Sequence, residues 1–294
     1  MREYLTKMRT VSANQCSEQV VGILLLYYPS FATEAIRRFT RLIRSVCKNS
    51  VLVIVENQEI LHPDKNLPGT HIIAGDNTLH EFSGWQAGLE YCKQQKLISQ
   101  YGVLIFANDT FCHHNKFGPI SEWCFVHTFK KLMRTPEKLA LAGEVQPYAS
   151  ILTIDEKKFS EWVSTYLFAM TVSLSQKIEP LTNPLDLERF FTHQINPENF
   201  LMGPINDNLK NHLANYLFGL RGSARWYAST SLTHDNLPRF ISKTKSILCE
   251  MNLSATTISL GGELMPVFKN KLIQQARRLE RLLPRYRHPT SVSK

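Results

Sequence analysis

Apolar residues along this chain fall into runs that alternate between two periods. Val20 to Tyr28, VVGILLLYY, is continuous, rich in branched residues and ended by Pro29, which is the pattern of a strand buried in a parallel sheet. From Ala35 to Cys47 the spacing lengthens: Ile36, Phe39, Leu42, Ile43 and Val46 recur at helical intervals, with Arg37, Arg38, Arg41 and Arg44 on the other faces. Val51 to Val55 is a second apolar strand that stops at Glu56 and Asn57, which completes a βαβ unit. The alternation then repeats. His71 to Ala74 predicts a short strand, Phe82 to Gln95 a helix with Phe82, Trp85, Leu89 and Cys92 on one face, and Val103 to Phe106 a buried strand running into Ala107, Asn108 and Asp109.

Beyond that point the order is mixed, with strands expected at Leu139 to Ala142, Tyr166 to Thr171 and Arg225 to Ala228, and helices at Asn206 to Phe218 and Ser242 to Met251. The pattern predicts an α/β fold with a central mixed, mostly parallel sheet flanked by helices. Three regions follow: a flexible N-terminus (1–19), an α/β domain (20–235) and a C-terminal helical extension (236–294) ending in a basic amphipathic tail. No fixed-period repeat appears, which argues against a solenoid. Neither G-x-G-x-x-G nor G-x-x-x-x-G-K-[ST] occurs, so the phosphate-binding glycine loops are missing.

Charge and cysteine content narrow the class. Residues 267–294 hold eight basic residues against the single acid Glu280, which is +7 of the chain's +9. The body is therefore near neutral. A tail, and not a stripe over the folded surface, carries the charge, so nucleic acid is not an expected partner. The six cysteines show no C-x-x-C pair, which suits free thiols in a reducing compartment. The run Val20 to Tyr28 is too short to span a bilayer, which takes ~20 residues, and Met1 to Gln19 lacks the apolar stretch of a secretory signal. The expected location is the cytoplasm, with peripheral contact at the inner face of the cytoplasmic membrane.

Open α/β sheets bind ligands at the carboxyl ends of their strands, where Glu56 and Asp109 both fall. The order GILLLYYPS, VLVIVENQ, DNTLHEFSGWQAGLEYC and YGVLIFANDTF resembles the amino-terminal half of family-2-like glycosyltransferases of the glycosyltransferase A (GT-A) fold. The stretch LIFANDTFCHHNKFGP is similar to the rhamnan-synthesis and O-antigen polysaccharide branch, where an Asn-Asp-Ser/Thr segment precedes Gly-Pro. The resemblance covers roughly Val20 to Asp235. It implies a Rossmann-like GT-A sheet and transfer of a sugar from a nucleotide-sugar donor to a glycan or lipid-linked glycan in bacterial surface polysaccharide biosynthesis.

The resemblance also implies roles for particular residues. Tyr28, Glu56, Asn57, Trp85, Asn108 and Asp109 would border the nucleotide, with Glu56 accepting hydrogen bonds from base or ribose. Asp109 would meet the diphosphate through a divalent cation, Mg2+ or Mn2+. Asn108-Asp109-Thr110 supplies one carboxylate where D-x-D supplies two, so a further ligand, His113, His114 or above all His234, would be recruited, or cationic side chains would stabilise the leaving group instead. Inverting transfer needs a base for the acceptor hydroxyl. Asp207, at the head of the helix in MGPINDNLKNHLANYLFG, matches the segment that carries it, with Asp186 and Glu188 as substitutes. An acid in a first helical turn is also favoured by capping and the helix dipole alone.

Three further features have bland readings beside functional ones. Gly84 and Gly88 permit a helix to pack closely on a strand. Across 268–287, Phe268, Leu272, Ile273, Ala276, Leu279, Leu282 and Leu283 form an apolar stripe bordered by Lys271, Arg277, Arg278, Arg281 and Arg285, which fits a helix on an anionic membrane or one packed on the domain or a partner. The reduced D-x-D motif also permits a catalytically inactive binding or assembly subunit. An unrelated nucleotide-binding enzyme is the third reading.

Overall fold

The computed structural model describes residues 19–57, 69–113, 117–181, 186–192, 194–219, 226 and 229–282. Outside them lie almost all of the expected flexible N-terminus, His114, the strand expected at Arg225 to Ala228 apart from Trp226, and the tail beyond Leu282. Strand β1 (Val20–Leu26) sits between β2 (Ser50–Glu56) and β4 (Val103–Asn108), with β3 (Thr70–Ala74) outside β2, and these four are parallel. Past β4 come β6 (Lys157–Thr171), antiparallel to it, then β5 (Ala140–Ile154), antiparallel to β6, and β7 (Glu263–Pro266), parallel to β5. The result is one seven-stranded, mostly parallel sheet ordered β3-β2-β1-β4-β6-β5-β7. Helices α1 (Pro29–Val46), α2 (His80–Gln94), α3 (Pro119–Met133), α4 (Val172–Ile178), α5 (Asp207–Phe218), α6 (Leu237–Ser259) and α7 (Lys271–Leu282) flank it. This is the α/β class that the apolar runs predict.

Alternation along β1 builds both layers. Val20, Leu24 and Leu26 face a core filled by α1 and α3, while Val21, Ile23 and Leu25 face one filled by α2, α4 and α6. On the second face a Cβ at Gly84 would stand 2.3 Å from Leu25 Cδ1, and one at Gly88 2.6 Å from Ile23 Cγ2. The two glycines let α2 lie directly on β1, as their spacing suggested. Trp85 between them is 0% exposed, packs edge-on against Phe82, Phe106 and Phe168, and donates its Nε1–H to Ala107 O at 3.2 Å. Losing such a ring costs about 3–5 kcal/mol.

Elements missed in the sequence have identifiable causes. Helix α1 starts at Pro29, because proline suits the first helical turn, so the residue that ends the strand run also opens the helix. The expected short strands at 139–142 and 166–171 are the paired ends of a 15-residue hairpin arm each, turned at Asp155 and Glu156, which both adopt left-handed φ. Asp-Glu is not the Asn-Gly or Asp-Gly signal of such turns. Past a register shift at Gly143/Glu144 this hairpin carries its own core of Ile154, Phe159 and Trp162 against Leu209, Leu213 and Leu217 of α5 and Phe240 of α6. Strand β7, with four residues, is too short for any periodic signal.

The C-terminal extension is part of these layers. After β7 adds to the sheet edge, α7 is held by Arg277, which forms a two-pronged ion pair with Glu144 and lies 3.8 Å from the centre of the Phe268 ring. Tyr166 donates to Glu144 as well, and the neighbouring Glu280 accepts the Ile120 and Ser121 N–H groups and the Ser121 hydroxyl, capping the start of α3. Among the described residues no helix is long and apolar enough to cross a membrane.

Arg277 and Glu144 side chains are 10% and 14% exposed, so removing one leaves the other charge buried. Arg277→Ala is expected to lose about 3–5 kcal/mol in chemical denaturation. Burial alone would raise the Glu144 carboxyl; Arg277 outweighs it and holds the pKa below the usual range. A depressed folded pKa gives stability that is complete above the unfolded value near about 4.3 and fades as pH falls through the folded one. The wild type should therefore lose stability on acidification in a component that Arg277→Ala lacks. Identical acid profiles would contradict this.

Candidate functional site

The carboxyl ends of β1, β2 and β4 are aligned, Leu26 pairing with Glu56 and Leu25 with Asn108. From β1 the chain moves outward through β2 and β3, then returns to place β4 on the other side of β1. The crevice between β1 and β4 is therefore the topological switch point, where two loops part and leave room for a ligand.

Asp109 spans that crevice. It follows β4, opens a 3-10 turn (Asp109–Cys112) and is 1% exposed. Its Oδ2 accepts the backbone N–H of Tyr27 at 2.7 Å and of Tyr28 at 2.6 Å. A carboxylate this buried needs strong donors, and two amides from the β1–α1 loop meet that need. Beside it Asn108 Oδ1 accepts the Thr110 hydroxyl at 2.7 Å, and Asn108 Nδ2 donates to Glu81 Oε1 at 3.4 Å. Glu81 Oε2 accepts the Ser246 hydroxyl of α6 at 3.1 Å, tying the start of α2 to α6.

A pocket of about 290 Å³ opens over these groups. Tyr28, Asn57, Asn108 and Asp109 form its sheet side, Asn77, His80 and Glu81 the corner between β3 and α2, and Trp226 and Lys243 the side facing α6. Asn57 Nδ2 donates to Asn77 Oδ1 at 3.0 Å, while Asn57 Oδ1 is buried with no hydrogen-bond partner. His80 Nε2 lies 2.7 Å from Ser242 Oγ. Burial pushes the His80 pKa down and Lys243 adds to that, against an opposing pull from Glu81, so the ring is neutral at pH 7. Lys243 has no ion pair among the described residues.

Of the residues singled out in the sequence, Tyr28, Asn57, Asn108 and Asp109 meet in the pocket. Glu56 ends β2 next to Asn57 but is not in the wall. Trp85 does not line the pocket: its ring is sealed in the core, while Glu81, one helical turn earlier, is in the wall. His113 stacks on Phe31 at 4.0 Å and His234 is exposed on a loop, neither in the wall. Asp207 stands apart as well. Asn206 caps α5 through Leu209 N–H, and the Asp207 side chain is 92% exposed with Lys210 at 3.9 Å. Helix α5 reaches the pocket wall at its other end, where Tyr216 O accepts Trp226 N–H. Nine residues of helix put Asp207 roughly 13 Å from that end. Glu188 pairs with Lys245, and neither it nor Asp186 lines the pocket.

Much of the oxygen donor set around Asp109 is already engaged within the protein. Mg2+ and Mn2+ take several oxygens with lone pairs to spare. Here Asp109 Oδ2 already holds two amides, Asn108 Oδ1 holds Thr110, and both Glu81 oxygens accept side-chain donors. Among the described residues no three of His, Cys, Asp and Glu group to hold an ion. Asn77, His80 and Glu81 fall within the DNTLHEFSGWQAGLEYC stretch but are not singled out in it, and Lys243 carries no motif, since the contact of His80 with Ser242 beside it joins positions 162 apart.

No protein-family model matches this chain, and no curated protein sequence does. Among solved structures it is similar to 4-diphosphocytidyl-2C-methyl-D-erythritol synthase, at 10% identity over 53% of this chain and 73% of that one, with a TM-score of 0.32. It is also similar to a candidate nucleotide-diphospho-sugar transferase from Desulfovibrio desulfuricans G20, at 10% identity over 58% of this chain and 69% of that one, TM-score 0.30. These are distant similarities and assign the chain to no family or branch.

Asp109→Ala should strand the Tyr27 and Tyr28 amides and cost about 1–3 kcal/mol for each buried group left unpaired. Thermal denaturation measures it. A melting temperature equal to wild type would show that the loop does not depend on Asp109.

Proposed function

We propose that this pocket binds the nucleoside diphosphate of a nucleotide-sugar, and that the chain is a glycosyltransferase acting on a glycan or lipid-linked glycan acceptor of bacterial surface polysaccharide. The observation that carries the reading is the pocket itself: polar groups converge on the switch point of an open α/β sheet, between the β1–α1 loop and Lys243. Tyr28 places an aromatic ring in the wall beside these groups. Asn57 lines the same wall, where its side-chain amide would meet a base or ribose hydroxyl. Transfer joins the acceptor oxygen to the anomeric carbon as the bond to the diphosphate breaks, so positioning and charge stabilisation are the main demands on the protein.

A second reading, a binding or assembly subunit without transfer, is favoured by the use of Asp109 as a loop clamp. Hydrolysis of a donor sugar nucleotide separates the two.

Uridine, thymidine and guanosine diphosphates should be screened for thermal stabilisation. One of them at 100 times its Kd is expected to add ~2.7 kcal/mol. Asn57→Ala should weaken that nucleotide by ~0.5–1.5 kcal/mol. Asp207→Asn should leave both affinity and melting temperature unchanged, because Asp207 is exposed and remote from the pocket. Failure of every nucleotide to stabilise the protein would end this reading.

The acceptor side is proposed to lie at a membrane surface. Docking α7 buries Arg277 but leaves Leu272, Leu279 and Leu282 76%, 64% and 78% exposed on one side of the helix, next to Lys271 and Arg278. Apolar residues beside cations suit an anionic lipid headgroup layer. The chain should float with vesicles containing phosphatidylglycerol and not with pure phosphatidylcholine. Replacing the three leucines with glutamine should abolish flotation at unchanged melting temperature; retained flotation would reject this face.

A further inference from the structure

The pocket contains two carboxylates, one neutral imidazole and one ammonium group, and their engagements differ. Four of the oxygens open to a D-x-D-type cation are already acceptors inside the protein: Asp109 Oδ2 for two amides, Asn108 Oδ1 for Thr110, Glu81 Oε1 for Asn108 and Glu81 Oε2 for Ser246. A cation taking Asp109 Oδ2 would have to compete with the amides that shape the β1–α1 loop. Lys243 is placed differently. It lines the pocket from α6, one residue from Ser242, which anchors His80. It has no ion pair among the described residues, although its charge is felt at both His80 and Glu250.

A cation at a pocket wall with no anion of its own is poised for one from solution. The start of α2 at His80 and Glu81 adds the positive end of a helix dipole to the same wall. We infer that Lys243, in place of a divalent metal ion, neutralises the diphosphate of the nucleotide. The inference rests on the reading of the pocket as a nucleoside diphosphate site. As the acceptor oxygen bonds to the anomeric carbon, the bond from that carbon to the diphosphate oxygen breaks, its electron pair stays on the diphosphate, which gains one negative charge, and the acceptor's proton passes to solvent water. The ammonium group meets that gain directly. The strength of its field grows as the pocket excludes water, because opposite charges at close range attract more in a lower dielectric.

Calorimetric titration of the full chain with the stabilising nucleoside diphosphate, in EDTA and then in millimolar Mn2+ or Mg2+, tests this. Affinity is expected to agree within about twofold across the three conditions. Lys243→Ala should weaken binding on the order of tenfold to hundredfold, the loss of a charged hydrogen bond, with no rescue by Mn2+. Lys243→Arg should keep most of the affinity. The melting temperature of unliganded Lys243→Ala should match wild type, since Lys243 has no ion pair to lose. Binding that appears only with a divalent ion would overturn the inference and leave the nucleotide site standing. So would full affinity in Lys243→Ala. No binding of any nucleotide in any condition would remove both.

Discussion

The site depends on one buried carboxylate. Asp109 leaves the end of β4 and receives the Tyr27 and Tyr28 amides beyond the end of β1, so a single oxygen bridges the two strands at which the sheet changes direction. A switch point is a gap by construction, since the loops on either side lead away from each other. The backbone at its edge must find partners or face water. Asp109 supplies the partner, fixes where α1 begins, and sets Tyr28 at the pocket mouth. The side chains of Asn108, Glu81 and Ser246 extend the same network onto α2 and α6, which ties the sheet side of the pocket to the helical side.

A second constraint works at the opposite edge of the sheet. Glu144 sits where β5 bulges away from β6, and its charge would be costly there without Arg277 and Tyr166. The last helix is thus docked by chemistry more than by apolar contact: Arg277 is its most buried residue, while three leucines stay outside. The amphipathic pattern of the tail is real but inverted in use, with a cation inward and part of the apolar stripe outward.

That inversion shows what the sequence can and cannot disclose. Continuous branched runs such as Val20 to Leu26 located the central strands, because a strand buried on both faces has no alternative composition. Asp109, Asn108, Asn57 and Tyr28, which the structure gathers at one pocket, each follow the end of such a run, where open sheets leave room for ligands. Trp85 lies in the core and not in the pocket wall, a distinction that helical spacing does not make for an aromatic residue. The hairpin of β5 and β6 was half hidden, since its outer arm leaves the sheet and packs on α5 and α6 through long-range contacts. Lys243 gave no signal at all: one lysine in a helix full of polar residues acquires meaning only when α6 folds over the switch point. Asp207 was suggested by order along the chain, yet order does not fix which end of a helix approaches a pocket.

Lys243 is the pocket residue proposed to meet the diphosphate, while Asp109 Oδ2 is held by the Tyr27 and Tyr28 amides. A crystal structure of the chain grown with a nucleoside diphosphate in EDTA tests this most directly. The nucleotide is expected at the β1–β4 crevice, with a phosphate oxygen in hydrogen-bond contact with Lys243 Nζ and the Tyr27 and Tyr28 amides still on Asp109. A nucleotide bound elsewhere, or Asp109 released from those amides to face the phosphates, would contradict it.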